Sequence, residues 1–268
     1  MKILFIAPYI PSDMSGHAGP KLMYRNILSL SRSHQITLAS FIDSNEKNMA
    51  SILEDSGIEV HTVNYPRNQK SMSGKLASGI YNISPMISYL KGDEPFFFAK
   101  YNKKEMKNLI SRLITNNAFD LVQVEYNVMH HYSALFENTP SVIVFHDVST
   151  KVHERGQSEG NTYNKRSYQI AKKIEADIAN KFDGVVTLTQ EDQLYLKKLG
   201  CIKEIHVIPP QVKILENIDV QKVPNTICFV GSFNREPNVH AVELLINDIY
   251  SIITVPVVLN IVGKDLPS

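Results

Sequence analysis

Short runs of continuously apolar or β-branched residues alternate along this chain with longer stretches in which apolar side chains recur at helical spacing. The runs are Lys2–Ala7, Gln35–Phe41, Glu59–Val63, Asp120–Gln123, Ser141–Phe145, Gly184–Leu188 and Glu204–Ile208. A strand that is apolar at nearly every position, rather than at every second one, is covered on both faces, as in a parallel sheet sandwiched by helices. Helices are predicted at about Lys21–Ser31, Glu46–Ser56, Tyr101–Asn116, Tyr163–Phe182 and Glu191–Leu199. Pro20 suits a first helical position, where its missing N–H costs nothing, and Gly57 and Gly200 suit left-handed helix caps. The pattern predicts a doubly wound α/β fold. Two stretches fit it poorly: Pro66–Phe98, with its Ser/Gly tract and Phe96-Phe97-Phe98 run, and His146–Asn161, with few apolar residues. Both are expected to be functional loops or lids.

A second unit opens at Thr226 with a strand to Val230, a tight loop Gly231-Ser232-Phe233-Asn234, a helix over about Pro237–Ile253, a strand over about Pro256–Val262, and Gly263. One βαβ unit cannot bury both faces of a parallel sheet, so a second domain cut short at Ser268 is expected. Its unpaired strand edge and the apolar helix face from Val239 to Ile253 should favour association. Pro209-Pro210-Gln211 and the polar tract through Pro224 read as the linker, with the boundary near Val220. The expected division is 1–212, a linker over 213–225, and 226–268.

The 268 residues are 43% hydrophobic, enough for a sizeable core. Lys and Arg total 28 against 27 for Asp and Glu, so no global basic field draws the chain onto nucleic acid. Cys201 and Cys228 have no metal-ligand spacing and read as buried thiols of a reducing cytoplasm. The opening apolar run is ended by Pro8 and Pro11, too soon for a signal peptide or a membrane span.

Ligands of open α/β sheets bind beyond the carboxyl ends of the strands. After the first strand, the loop Pro8 to Pro20 carries Gly16 and Gly19 and opens a helix. Glycines there let backbone approach a ligand, and a helix start favours an anion such as phosphate; the same glycines could simply shape a turn. The loop is too long for a dinucleotide fingerprint, which disfavours a nicotinamide oxidoreductase. The fifth strand ends at His146-Asp147, an imidazole able to hydrogen-bond substrate beside a carboxylate able to accept a sugar hydroxyl. Glu125 ends the fourth strand, followed by Tyr126 and Asn127, a set suited either to polyol recognition or to a solvated strand end. His130, His131 and His153 lack the spacing and the companion carboxylate or cysteine of a zinc site, so no metal is expected. No nucleophile elbow, Walker loop or paired-cysteine motif is present. Pro95 to Lys107 joins aromatics to a basic helix face, with Met106, Leu109, Ile110, Leu113 and Ile114 opposite. The segment 96–114 is either a helix packed on the sheet or a docking surface for an anionic membrane.

With these landmarks placed, the chain resembles the amino-terminal part of a GT-B glycosyltransferase, close to the retaining family 4. The resemblance rests on the Gly16/Gly19 loop, Asp120-Leu121-Val122-Gln123-Val124-Glu125, Val144-Phe145-His146-Asp147, Val185 to Asp192 and Ile208-Pro209-Pro210. Its most specific part is Phe229-Val230-Gly231-Ser232-Phe233-Asn234 with Pro237 to Val242 and Asn260-Ile261-Val262-Gly263. It implies two Rossmann-like domains facing across a cleft, the first holding the acceptor and the second a nucleotide-activated sugar. It implies that Gly16 and Gly19 shape the loop beside donor phosphates and acceptor, and that His146 contacts the transferred sugar as the catalytic residue. Glu125 and Asp147 would serve the acceptor or sugar, and Gly231, Ser232 and Asn234 the donor phosphates. The reaction implied is metal-independent transfer of a hexosyl group to a glycan or glycolipid, with retention, in cell-surface polysaccharide synthesis. It would take place in the cytoplasm, peripherally at the inner membrane face. The linker departs from the family in carrying Pro210-Gln211 where Asn-Gly is usual, and the family's basic pair and glutamate pair would lie beyond Ser268. The chain alone is therefore expected to be nearly inactive. An epimerase of the same architecture fits the residues after Thr226 less well. A non-catalytic module that binds an acceptor glycan or a partner chain is the alternative.

Overall fold

The computed structural model describes residues 1–67, 79–157, 162–211, 221–233 and 236–265. They cluster into two units, Met1–Val212 and Lys213–Ser268. Most of the tract read as a linker, 212–220, lies outside the described residues, as does Asn234.

In the first unit seven strands form one parallel sheet: β1 (Lys2–Ala7), β2 (Gln35–Ile42), β3 (Glu59–Asn64), β4 (Leu121–Glu125), β5 (Ser141–Phe145), β6 (Gly184–Thr187) and β7 (Ile205–Val207). Their order is β3-β2-β1-β4-β5-β6-β7, so the chain reverses direction across the sheet between β1 and β4. The register runs Ile3↔Ile36 on one side of β1 and Ile3↔Leu121 on the other. Alternate residues of each continuous apolar run feed opposite cores. Leu4, Ile6, Ala39 and Phe41 join one cluster, while Ile3, Phe5, Ile36 and Leu38 join the other. Truncating a buried phenylalanine of this kind, such as Phe5 or Phe41, costs about 3–5 kcal/mol.

Helices α1 (Ala18–Ser31) and α2 (Lys47–Asp55) cover the face of Ile3 and Phe5 through Met23, Ile27, Ala50 and Leu53. The other face is covered by α5 (Lys104–Asn116), a 3₁₀ helix (Asn127–Leu135), α7 (Thr162–Asn180) and α8 (Gln190–Leu199). Gly57 and Gly200 take positive φ, 80° and 107°, and Gly200 caps α8.

The two awkward stretches are largely helical. Within Pro66–Phe98 the described residues hold α3 (Ile83–Lys91) and the start of α4 (Phe96–Ala99), and His146–Asn161 contains α6 (Ser149–Gln157). The helix expected from Tyr101 begins instead at Lys104, because Lys103 is extended. Tyr132 secures that break, its hydroxyl accepting from the Lys103 N–H at 3.1 Å and donating to the Tyr101 carbonyl. Met106, Leu109, Ile110 and Leu113 are buried in the core, as is Phe98, so the apolar side of 96–114 is largely consumed by packing. Among the described residues no helix is long and apolar enough to cross a membrane.

In the second unit β8 (Thr226–Ser232) and β9 (Val258–Lys264) pair in parallel, joined by α9 (Glu236–Leu244), a π-helical turn and a 3₁₀ turn. The strand runs through Gly231 and Ser232, which the sequence places in a loop. Gly231 lies opposite Gly263, and a Cβ on Gly263 would collide with the Gly231 carbonyl, so only glycine lets the two backbones pair there. Cys201 is buried as expected, whereas Cys228 is exposed, and both are free.

Candidate active site at the β1/β4 reversal

The crevice outside a reversal of strand order is where open α/β sheets bind ligands, because the loops on either side part there. In this chain it gathers the end of β1 with the start of α1, Glu125 at the end of β4, and His146 just after β5.

Glu125 is 1% exposed and both of its oxygens are occupied. Oε1 accepts from the Gln123 amide at 2.6 Å, and Oε2 lies 2.8 Å from His146 Nε2. A carboxylate accepts, so the His146 Nε2 carries hydrogen, and in the neutral imidazole Nδ1 then holds the lone pair. Glu125 is therefore buried, not at a solvated strand end, and its contact orients the imidazole. Tyr126 fixes the ring from above, stacking on His146 with centroids 3.8 Å apart and planes inclined by 6°. To reach that position Tyr126 adopts φ 70° and ψ 138°, a backbone conformation that side-chain-bearing residues rarely take and that costs about 1–3 kcal/mol. Burial, reinforced by neighbouring Tyr9 and the Glu125 and Asp147 charges, pushes its phenol well above the ordinary range.

Gly19 lies within the first turn of α1, since the helix starts at Ala18 and not at Pro20. A Cβ on Gly19 would run into the Tyr126 hydroxyl oxygen, with the ring carbon that bears it only 3.0 Å away. Gly19 is thus the space in which Tyr126 lies over His146. Around Gly16, by contrast, a Cβ would meet open space. The side chain of the N-cap residue His17 makes no capping bond to the start of α1, where Ala18 and Gly19 carry N–H groups and Pro20 carries none.

These groups surround a cavity of about 460 Å³ lined by Gly19, Lys21, Arg25, Tyr126, His146 and Asp147, among others. Asp147 is exposed, whereas His146 is 8% exposed. Arg25 also pairs with Asp13 at 3.5 Å.

A carboxylate that the sequence did not single out supports this site from behind. Glu175, in the middle of α7, is fully buried and accepts from the backbone N–H groups of Ser149 and Thr150, the Thr150 hydroxyl and the Asn127 amide. It caps the first turn of α6 three residues beyond His146 and ties it to the residue after Tyr126. Burial raises its pKa, against the pull of those donors. Gly231 and Ser232 belong to the other unit, where Ser232 accepts from the Asn238 amide through its carbonyl at 2.8 Å. His153 lies beside Asn164 at 3.1 Å, while His130 and His131 meet Glu94, a companion invisible at sequence spacing.

The fold is similar to that of Arabidopsis thaliana UGT89C1 complexed with UDP-L-rhamnose, with TM-score 0.51 and 11% identity over 99% of this chain and 69% of that one. It is also similar to TcCGT1 in complex with UDP, with TM-score 0.48 and 10% identity over 86% of this chain and 57% of that one. A ugt transferase from Siraitia grosvenorii in complex with UDP gives TM-score 0.45 and 10% identity, over 87% of this chain and 59% of that one. The chain thus spans less than two thirds of the length of the last two. No curated protein matches it in sequence. The parallel sheet with helices on both faces is the α/β, Rossmann-like arrangement of GT-B glycosyltransferases. Residues 47–214, well over half of the chain and including Glu125, Tyr126, His146 and Glu175, match Glycosyltransferase Family 4, and the chain belongs to that family.

Proposed function

We propose that this protein serves the transfer of a hexosyl group from a nucleotide-activated sugar to a hydroxyl of a glycan or lipid-linked acceptor, with retention and without a metal at the reacting centre. We assign the reaction to cell-surface polysaccharide synthesis at the cytoplasmic face of the membrane. The observation that carries the reading is the Glu125–His146–Tyr126 assembly, held against the start of α1 at the strand-order reversal. With Nε2 hydrogen committed to Glu125, the His146 Nδ1 can accept a hydrogen bond from a sugar hydroxyl and fix the sugar's orientation. The N–H groups at the start of α1, with Lys21 and Arg25 along the same cavity, favour the oxygens of a diphosphate leaving group. Asp147 supplies a carboxylate for a sugar hydroxyl, and Gly16 gives the loop its freedom. Gly231, Ser232 and Asn234 are assigned to the donor phosphates. UDP-L-rhamnose, held by the Arabidopsis thaliana structure, is a donor of the proposed class.

The test is transfer of label from a panel of radiolabelled nucleotide sugars to membrane lipid and glycan extracts, using the full-length protein. Transfer should occur with one donor class, and His146→Ala should lower turnover about 100-fold or more. Turnover undiminished in the variant would remove His146 from the chemistry. Glycan binding with no donor consumed would make the protein a non-catalytic binding module.

A further inference from the structure

The connection between α3 and α4 carries Glu94, and the 3₁₀ helix that follows β4 carries His130 and His131. Thirty-five residues of chain separate Glu94 from His130, yet one ligand-type atom from each of the three lies within 4.8 Å of the other two. The Glu94 Oε2 is 2.8 Å from His131 Nε2 and 3.6 Å from His130 Nε2, and the two imidazole centroids are 3.9 Å apart. The side chains are only 14%, 6% and 10% exposed for Glu94, His131 and His130.

Hydrogen bonding does not use up this cluster. His131 and Glu94 satisfy each other, but 3.6 Å is too long for a hydrogen bond to His130. Both ring nitrogens of His130, and the Nδ1 of His131, are buried with no hydrogen-bond partner among the described residues. An imidazole always carries hydrogen on one nitrogen, and an unpaired buried polar group costs about 1–3 kcal/mol.

We infer that Glu94, His130 and His131 form a binding site for a divalent transition-metal ion of the zinc type. Two imidazoles and one carboxylate are the protein ligands of open zinc sites, with a fourth position left for water or another group. Imidazole nitrogens favour zinc and cobalt(II) over magnesium or calcium, which take oxygen. Coordination at both ε nitrogens needs them free of hydrogen, so each ring carries its proton on Nδ1, and the Glu94–His131 hydrogen bond gives way to two metal–ligand bonds. Neither Nδ1 has a carboxylate or carbonyl partner among the described residues, and that outer support is what strengthens metal sites. The affinity should therefore be moderate. A bound ion would pin the α3–α4 connection to the 3₁₀ helix that follows Tyr126. The site is separate from the His146 cavity and does not depend on the transferase reading.

The test is titration of the metal-stripped full-length protein with cobalt(II), followed by competition with zinc. The visible absorption of four-coordinate cobalt should rise to saturation at one equivalent, and zinc should abolish it. Glu94→Gln and the double variant His130→Gln/His131→Gln, each confirmed as folded by circular dichroism, should weaken binding by about tenfold or more. Absence of the band in the unsubstituted protein overturns the proposal by itself. So does a band of undiminished affinity in the variants, which would place the metal on other histidines. In either case Glu94 is a hydrogen-bonding clasp only.

Discussion

Two histidine–glutamate clusters lie beside β4, and they differ in what each leaves unused. At the first, Gln123 and His146 occupy both oxygens of Glu125, and Tyr126 lies flat over the ring. At the second, Glu94 meets two imidazoles, and three of the four ring nitrogens have no hydrogen-bond partner among the described residues. A satisfied network holds one geometry, and with Nε2 on Glu125 the remaining ring nitrogen of His146 is Nδ1. An unsatisfied cluster bears a standing cost that a bound ion could relieve. The difference separates a positioned single group from a set of unsatisfied ligand-type atoms, although the residue types are the same.

The largest effect expected from this difference comes from removing each glutamate in turn. Glu125→Ala leaves the half-buried Gln123 amide and the buried His146 Nε2–H without their acceptor and frees the ring to turn. It should cost about 2–3 kcal/mol of stability, and turnover of the full-length protein should fall about 100-fold. Glu94→Ala in the metal-free protein orphans one buried donor, the His131 Nε2–H, and should cost about 1 kcal/mol, the low end for such a loss. Urea unfolding of the two variants at neutral pH measures both. Equal losses would show that the two clusters are alike and that partner count is the wrong variable.

The sequence carried the strands because each apolar run is local and its meaning depends only on burial of both faces. It carried His146 and Glu125 as strand-end residues for the same reason. Their mutual contact was not legible, nor was the burial of Glu125, since a carboxylate at a strand end reads equally well as solvated. Glu175 was missed because a glutamate in a polar, lysine-rich helix carries no local sign that its turn faces the core. The 3₁₀ helix over Asn127–Leu135 follows a strand end too closely, and helix α6 has too few apolar positions, for periodicity to reveal them. Glu94 could not be paired with His130 and His131 because the companions of a cluster built from two distant segments are brought together by packing alone. The one available signal was the adjacency of two histidines in an otherwise apolar stretch.

A second, smaller effect tests whether the order of the first cluster depends on Gly19. Gly19→Ala places a methyl group where the Tyr126 hydroxyl lies and should displace the ring from His146, lowering turnover about tenfold for about 1–3 kcal/mol of overpacking. Adding Tyr126→Phe removes the colliding oxygen. The double variant should then regain part of the loss, because the next contact, at 3.0 Å, can be relieved by a small shift of the ring. Additive losses would mean that Tyr126 and Gly19 act independently.

The smallest effect extends the comparison to a cation. Lys100 is half-buried, with its amine 4.4 Å from the Phe97 ring centroid and 5.1 Å from that of Tyr101, and no carboxylate pairs with it among the described residues. Burial, with the nearby Arg67 charge second, lowers its pKa from 10.5 to about 8. In the folded protein Lys100 thus loses its proton near pH 8, while the unfolded chain keeps it to about 10.4. Between those values the unfolded state binds more protons, so this group's contribution makes stability rise with pH. Lys100→Met lacks the contribution. It should be more stable than the parent at pH 7, with the gap narrowing steadily toward pH 10, where the buried tyrosines affect both proteins equally. A gap that stays constant across that range would mean that the amine finds water or an anion in the folded state, and that lacking a protein partner does not by itself make a buried group costly here.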